Sequence, residues 1–191
     1  MSRVVSREQY FDAALEILAQ SGFKGLNIGV LCRNLGVTSG SFYHHFGSWQ
    51  GFVDVLLEFW ENRQGILLRN LDFGKGEPET DLELLGKLTE GLNHKAEAAI
   101  RAWAANDRAV NAVLERVDDA RRKTVGKTIR RIVGDRETAK VLASMGMSLL
   151  VGYQQLLAQG RQESLNKQLD EYGRLIYSHR QRSRQRFETQ P

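Results

Sequence analysis

Short polar side chains are concentrated in one stretch of the sequence, between Gly36 and Gly47. They combine hydroxyl, glycine and imidazole groups: Thr38, Ser39, Gly40, Ser41, Tyr43 and His44. Hydroxyl and imidazole groups donate and accept hydrogen bonds, and small residues let a backbone approach a partner closely. Such a set suits hydrogen bonding to base edges and phosphates of double-stranded DNA.

Other chemistries find little support in the sequence. No Ser-His-Asp spacing, P-loop, Rossmann glycine motif or carboxylate pair stands out, so we do not expect an enzyme. His44 and His45 are adjacent, and neighbouring side chains on a helix point about 100° apart, which prevents chelation of one ion. Cys32 is the single cysteine and lies on an apolar stripe, so we predict a buried thiol without redox function. We predict no cofactor and no metal.

Two short helices must position the polar residues. Asn27 is a suitable N-cap for the first helix, whose apolar residues repeat at helical spacing and which ends at Gly36. Thr38 is a suitable cap for the second, predicted over Ser39–His45, with Phe42 and Phe46 facing inward. The spacing is typical of a helix-turn-helix, in which the second helix reads DNA.

The same stretch resembles the TetR family of transcriptional regulators. The resemblance rests on the sixteen residues from Leu31 to Phe46, on the preceding residues 22–27 and on the following Gly47-Ser48, and it extends over about residues 7–60. It implies that Tyr43 and His44 bond to phosphates, whereas Ser39, Gly40 and Ser41 lie against bases. Ser48 would contact the DNA backbone. Trp49 stands where the family commonly has a lysine, so a cationic phosphate contact is lost there, and Trp49 can either donate its indole N–H to a phosphate or pack on a sugar.

The composition places these helices in an all-α protein. The chain has 191 residues, of which 41% are hydrophobic and 26% charged, and only two are proline. The formal net charge of +4 permits a polyanionic partner without requiring one. The N-terminus has no apolar targeting stretch and no run of eighteen apolar residues occurs, so we predict a cytoplasmic protein with no membrane partner.

The helical periodicity divides the rest of the chain. A first helix is predicted over Ser6–Ser21, capped by Ser6 with Gln9 and closed by Gly22. A fourth helix runs from Gly47-Ser48 to about Leu71, and a loop covers 74–79. Further helices are predicted over Thr80–Leu92, Lys95–Ala105, Asp107–Val133, Arg136–Gln159 and Ser164–Arg180, with a frayed tail to Pro191. We predict a DNA-binding domain over 1–47, a connecting helix over 48–73 and an effector-binding and dimerisation domain over 74–191.

A homodimer is predicted through the last two helices. Two reading helices need a fixed spacing to bind two half-sites, and the TetR family forms its four-helix interface in this part of the chain. The candidate interface residues lie on apolar stripes: Leu142, Met145, Leu149, Tyr153, Leu156, Leu165, Leu169, Tyr172 and Ile176.

The resemblance also implies a small-molecule effector. Aromatic and polar residues on inward-leaning stripes are the candidates for an apolar or aromatic ligand: Phe59, Trp60, His94, Trp103, Met147, Tyr153 and Gln154. Residues Phe59 to Ile66 of the fourth helix are expected to face the C-terminal body. The alternative is that these residues fill the core.

Together these observations predict a ligand-responsive repressor that binds a palindromic operator as a homodimer. The alternative is a helical small-molecule-binding protein that has lost specific DNA readout. A basic run around Arg121–Arg131 has two interpretations, a second nucleic-acid surface or a solvated face with ion pairs to Asp118 and Asp119. The arginines at 182, 184 and 186 either add nonspecific DNA affinity or belong to a frayed end.

Overall fold

The computed structural model describes residues 5–69, 76–161 and 164–188, and all regular secondary structure within them is helical. The all-α prediction is therefore confirmed. The helices are α1 (Arg7–Gly25), α2 (Ile28–Leu35), α3 (Ser39–Phe46), α4 (Trp49–Arg69), α5 (Pro78–Glu90), α6 (His94–Ala104), α7 (Arg108–Val133), α8 (Arg136–Ala158) and α9 (Leu165–Glu188).

Helix α1 begins where its sequence signal predicts and ends later. The hydroxyl of Ser6 accepts from the Gln9 backbone N–H at 3.3 Å, and the Gln9 side chain accepts from the Ser6 N–H at 2.8 Å, which completes a capping box. Gly22, predicted as the end, instead forms a kink within the helix at φ 66° and ψ −177°. A further short turn reaches Gly25, because glycine adopts this backbone conformation without a Cβ clash.

Two other predicted boundaries are wrong. The loop predicted over 74–79 ends earlier, because Pro78 occupies the first turn of α5, where its missing N–H costs no hydrogen bond. The tail predicted to fray from Arg180 has a helical backbone through Glu188. The predicted end of the fourth helix at Leu71 and the start of that loop lie outside the described residues.

The chain packs as two compact units. The first comprises Met1–Gln64 and Asn93–Arg116, and the second Gly65–Leu92 and Val117–Pro191. In the first unit, α6 packs along α1. By packing, α6 thus groups with the N-terminal helices, although its sequence position is in the predicted 74–191 domain. The functional division at 47 and 73 stays a prediction.

The second unit has an aliphatic core tied by charged groups. Its buried cluster joins α7, α8 and α9 through Ile129, Ile132, Val133, Ala139, Leu142, Ala143 and Ile176. Arg131 binds the carboxylate of Asp81 on α5, and Arg180 on α9 binds that of Glu79. Tyr172 donates its hydroxyl to the Leu142 carbonyl, and burial raises the pKa of this phenol. These contacts hold α5, α7, α8 and α9 together.

Helix α8 is the one described helix whose length and apolar composition would also fit a membrane span. Its buried side chains recur on one face, at Ala139, Leu142, Ala143, Met147 and Leu150. That distribution fits a helix packed against a protein core.

Candidate nucleic-acid interface

The helix-turn-helix forms as predicted. Asn27 caps α2 by accepting from the Val30 N–H at 3.0 Å, and Gly36 ends it in the left-handed conformation, at φ 67° and ψ 36°. The Thr38 hydroxyl accepts from the Ser41 N–H at 3.4 Å and so caps α3. The two caps and the glycine turn fix where α3 begins.

Aromatic rings hold α3 against the rest of the first unit. Phe42 is fully buried, and its ring centroid lies 5.3 Å from that of Phe52 in α4. Phe46 is 8% exposed and lies 5.0 Å from Phe52 and 5.2 Å from Tyr10 in α1. The predicted inward orientation of Phe42 and Phe46 is confirmed.

Cys32 belongs to the support of the turn. Its buried thiol donates to the backbone carbonyl of Thr38 at 3.7 Å, and desolvation raises the pKa of the thiol above its usual value. A raised pKa disfavours the nucleophilic thiolate. The side chain thus connects α2 to the cap of α3, in agreement with the predicted packing role.

The outer face of α3 presents most of the predicted polar set. Thr38, Ser39, Gly40 and His44 are exposed, and the side chain of Tyr43 is half exposed. The first N–H groups of a helix have no intrahelical acceptor, so those at the start of α3 can donate to phosphate. Between residues 27 and 49 the only charged side chain is that of Arg33, so no carboxylate there repels a polyanion. This face suits contact with DNA.

Ser41 differs from the prediction that it is exposed. It is partly buried, because the hydroxyl of Tyr10 on α1 donates to its Oγ at 3.1 Å. Sequence analysis missed Tyr10, although Tyr10, Ala13 and Ile17 form a second buried stripe on α1 beside that of Phe11, Ala14 and Leu18. The spacing of that second stripe can be recognised in the sequence. Its partner on α3 cannot.

His45 also packs on α1: its ring lies 5.5 Å from that of Tyr10. The rotation of α3 that buries Phe42 and Phe46 carries His45 toward α1.

Ser48 and Trp49 form the start of α4. The Ser48 hydroxyl accepts from the Gly51 N–H at 2.9 Å, so it caps the helix while its own proton stays available to donate. The Trp49 ring is partly buried, with its centroid 5.4 Å from Phe52 and 6.4 Å from Phe42. Trp49 therefore extends the aromatic core where the TetR family commonly has a lysine. Its contact with DNA stays a prediction.

The predicted effector residues are distributed over both units. In the first unit, Phe59 lies 4.9 Å from Phe11 of α1, which corrects the expectation that it faces the C-terminal body. Trp60 and His94 are buried, and the partly buried Trp103 lies parallel to Phe23 at 6.5 Å. Phe59 thus fills the core that supports α3.

The second unit holds the remaining three candidates on α8. Met147 is 7% exposed, Gln154 is fully buried and Tyr153 is partly buried. A surface groove of about 540 Å³ also lies on α8, lined by Glu137, Lys140, Val141, Ser144, Met145 and Ser148. The groove includes none of the predicted effector residues, so it is a separate feature.

Three arginines of the basic run on α7 form ion pairs. Arg122 binds Asp119 at 2.6 Å, Arg121 lies 3.9 Å from Asp118, and Arg131 binds Asp81. Arg121 is 7% exposed, which does not fit a solvated face. These ion pairs favour the structural interpretation over a second nucleic-acid surface. The side chains of Arg182, Arg184 and Arg186 lie outside the part of the chain whose side chains the structure describes.

The described ranges contain no cluster of potential metal ligands. Across residues 5–69, 76–161 and 164–188, no group of three or more His, Cys, Asp or Glu side chains could hold a metal ion.

The helix-turn-helix region also matches a known protein family. Residues 11–55, which span the helix-turn-helix and its supporting helices, match the family model of bacterial regulatory proteins, tetR family. The chain carries a TetR-family N-terminal domain. No curated protein matches the sequence.

Solved structures of transcriptional regulators, several of them of TetR type, share the fold of nearly the whole chain. A transcriptional regulator from Rhodococcus sp. Rha1 is 18% identical with a TM-score of 0.74, covering 91% of this chain and 97% of its own. A TetR transcription regulator from Haloarcula marismortui ATCC 43049 is 14% identical with a TM-score of 0.69, covering 92% and 96%. A TetR-like regulator from Rhodococcus sp. RHA1 is 16% identical with a TM-score of 0.65, covering 94% and 97%. The chain thus has the fold and the helix-turn-helix domain of TetR-family transcriptional regulators.

Proposed function

We propose that the protein is a sequence-specific repressor that binds a near-palindromic operator as a homodimer. The observation that carries the proposal is the outer face of α3, where exposed small and hydroxyl residues begin a helix inside a TetR-family domain. Small residues at the start of a reading helix let the backbone approach base edges. We expect the protein to act in the cytoplasm and to have no enzymatic activity.

Phosphate contacts and base contacts have different roles in this proposal. The N–H groups at the start of α3 and the exposed Tyr43 hydroxyl suit phosphate oxygens, which fix position without reading sequence. Ser39, Gly40 and Ser41 lie toward the bases in this proposal. His44 and Ser48 add contacts to the backbone.

Dimerisation uses the outward face of α8 in this proposal. Val141 is 58% exposed and Met145 is 45% exposed, and the serines of the groove let a second helix approach closely. By contrast, Leu142, Leu165 and Ile176 are buried within one chain, so we remove them from the predicted interface. Leu149, Tyr153, Leu156, Leu169 and Tyr172 are partly buried and remain candidates.

A small apolar or aromatic effector regulates binding in this proposal. The ligand must bind the DNA-competent and incompetent states with different affinities, and the coupling must be reciprocal. Helix α4 runs without a break from Trp49 to Arg69, so a tilt of this helix would change the spacing of the reading helices.

One observation favours the alternative, a small-molecule-binding protein without specific DNA readout. Trp49 packs on Phe52 at the position where a lysine would contact phosphate. Loss of that cation lowers DNA affinity at every sequence alike.

Selection from random duplexes at low salt separates the two functions. The repressor enriches an inverted repeat, because phosphate contacts are strongest at low salt while base contacts still discriminate. The matched control is Ser39→Glu: an acidic residue in the first turn suits the helix dipole but repels phosphate. We expect this variant to fold normally and to enrich nothing. Absence of any enriched repeat with the unmodified protein would refute the repressor.

A thermal-shift screen of metabolites and aromatic compounds, repeated with operator DNA, tests the effector. A compound that stabilises the protein should lower the affinity of the protein for operator DNA. Operator DNA should lower the affinity of the protein for that compound by the same factor. Trp103→Leu should weaken binding of the compound. Stabilisation without any change in operator affinity would show that the compound is no inducer.

A further inference from the structure

The buried phenol of Tyr10 contacts the reading helix from behind. We propose that Tyr10 is a positioning residue for base recognition: its phenol hydroxyl holds the Ser41 hydroxyl in one orientation, in which it can bond to a base edge. The inference rests on the proposed DNA-binding function and adds to it the residue that positions one contact.

The position of the phenol is fixed by its surroundings. Tyr10 has no exposed surface. Its ring meets three rings of α3 edge to face, with centroid distances of 6.1 Å to Phe42, 5.5 Å to His45 and 5.2 Å to Phe46. Edge-to-face packing on several sides leaves the ring little freedom. The Tyr10 oxygen therefore stays at one place beside α3.

The hydrogen bond from Tyr10 restricts the rotamer of Ser41. The Tyr10 hydroxyl donates to Ser41 Oγ at 3.1 Å, and this bond is kept only in the rotamer that brings the two oxygens together. A serine hydroxyl has two lone pairs and one proton, so Ser41 keeps one lone pair and its proton for a partner on DNA. Ser41 is partly exposed, so these groups can reach the outer face of α3.

The position of the Ser41 hydroxyl decides which base edge it can reach. In the major groove, each base pair presents its acceptors and donors at different places, such as guanine O6 and N7 or the cytosine amino group. With Tyr10 in place, Ser41 should discriminate in favour of bases that present a partner within its reach. Without the phenol hydroxyl, Ser41 can adopt other rotamers, so this discrimination should relax.

The experiment is a double-mutant cycle on the selected duplex and its single-base variants. It compares the unmodified protein, Tyr10→Phe, Ser41→Ala and the double variant by equilibrium binding. We expect Tyr10→Phe to reduce discrimination about threefold to tenfold at the base positions that Ser41→Ala affects. In the Ser41→Ala background, Tyr10→Phe should change discrimination less than about twofold.

Two further variants separate this role from general loosening of the bundle. Phe11→Leu alters the adjacent buried residue of α1, whose ring lies 5.9 Å from Phe46, without removing a hydroxyl. It should lower thermal stability and leave base discrimination unchanged. Ser41→Thr keeps the hydroxyl and should keep discrimination when Tyr10 is present, but lose it with Tyr10→Phe. This comparison still tests the inference if the double variant folds poorly.

The outcomes distinguish failure of the role proposed for Tyr10 from failure of the proposed DNA-binding function. If the unmodified protein selects no site, both the repressor and the role of Tyr10 fail. If it selects a site and Tyr10→Phe keeps the same base discrimination, the inference alone is overturned. A uniform loss of affinity on all duplexes with Tyr10→Phe would show that Tyr10 supports a phosphate contact and not a base contact, which also overturns it.

Discussion

The cores of the two units differ in their aromatic content. The first contains an aromatic cluster around α3, in which Tyr10, Phe11, Phe42, Phe46 and Phe52 meet at centroid distances of 5.0–6.2 Å. Aliphatic residues fill the second, and ion pairs of Arg131 and Arg180 connect its helices. Helix α3 has eight residues, whereas α7, α8 and α9 have 26, 23 and 24. A two-turn helix is not stable alone, so a few large rigid contacts must hold it.

This difference explains where the family resemblance lies. Packing of interlocked rings around a short helix tolerates little change, and the family match covers residues 11–55. Long helices bury many small contacts, which can be exchanged if volume and pattern are kept. The second unit therefore keeps a TetR-type fold at 14–18% overall identity to solved regulators.

The largest expected effect is on the aromatic core. Phe42→Ala should lower the free energy of unfolding by about 3–5 kcal/mol, because a fully buried ring leaves a cavity that its rigid neighbours cannot fill. Urea unfolding at neutral pH measures the loss. The control is Tyr43→Ala on the exposed face of α3, expected to cost much less. Equal losses at both positions would remove the contrast between buried and exposed faces of α3.

The outward face of α8 provides the next test. Met145→Glu should weaken the proposed homodimer about a hundredfold or more, because dimerisation would bury an unpaired carboxylate. Sedimentation measures the assembly, and circular dichroism checks that the variant is folded. Lys167→Glu, on an exposed side chain of α9, is the charge-reversal control. A Met145→Glu variant that remains dimeric would place the interface elsewhere.

Two hydroxyls of α3 should have different effects on DNA binding. Tyr43→Phe should weaken all duplexes alike and Ser41→Ala should change the preference among operator variants, each by about 1 kcal/mol. Competition binding on the selected operator and its variants gives both profiles. Identical profiles would contradict the division between phosphate and base contacts.

The smallest effect concerns a surface ion pair of the first unit. Arg116 binds both carboxylate oxygens of Glu61 at 2.7 Å and holds the pKa of that carboxyl below its usual value. The stabilisation is thus present above the ordinary glutamate pKa and is lost as pH falls through the lowered one. Glu61→Gln should cost under about 1 kcal/mol at neutral pH.

Urea unfolding at neutral and at strongly acidic pH measures this difference. The cost of Glu61→Gln should vanish in acid, when the glutamate of the unmodified protein is protonated too. Glu58→Gln, on an exposed position of the same helix, is the control. A cost that persists unchanged in acid would show that the pair does not act through charge.

Local signals predicted the elements of the reading domain. Ser6 with Gln9, Asn27 and Thr38 cap the helices they precede, and Gly36 ends α2. Each interaction spans three or four residues, so both partners lie in the same short stretch of sequence. The same reasoning failed at Gly22 and at Pro78. Glycine permits a kink as well as an end, and proline is as acceptable in the first turn of a helix as in a loop.

The sequence by itself determined an all-α chain, the helix-turn-helix and the polar residues on the face of α3, because periodicity and capping are short-range. Only the tertiary structure decided that Tyr10 binds Ser41, that Phe59 packs on Phe11 and that α6 lies along α1. Those contacts join residues far apart in the chain. An apolar stripe shows that a helix face is buried without showing which neighbour covers it, so the rotation and partners of each helix depend on how all of them pack together.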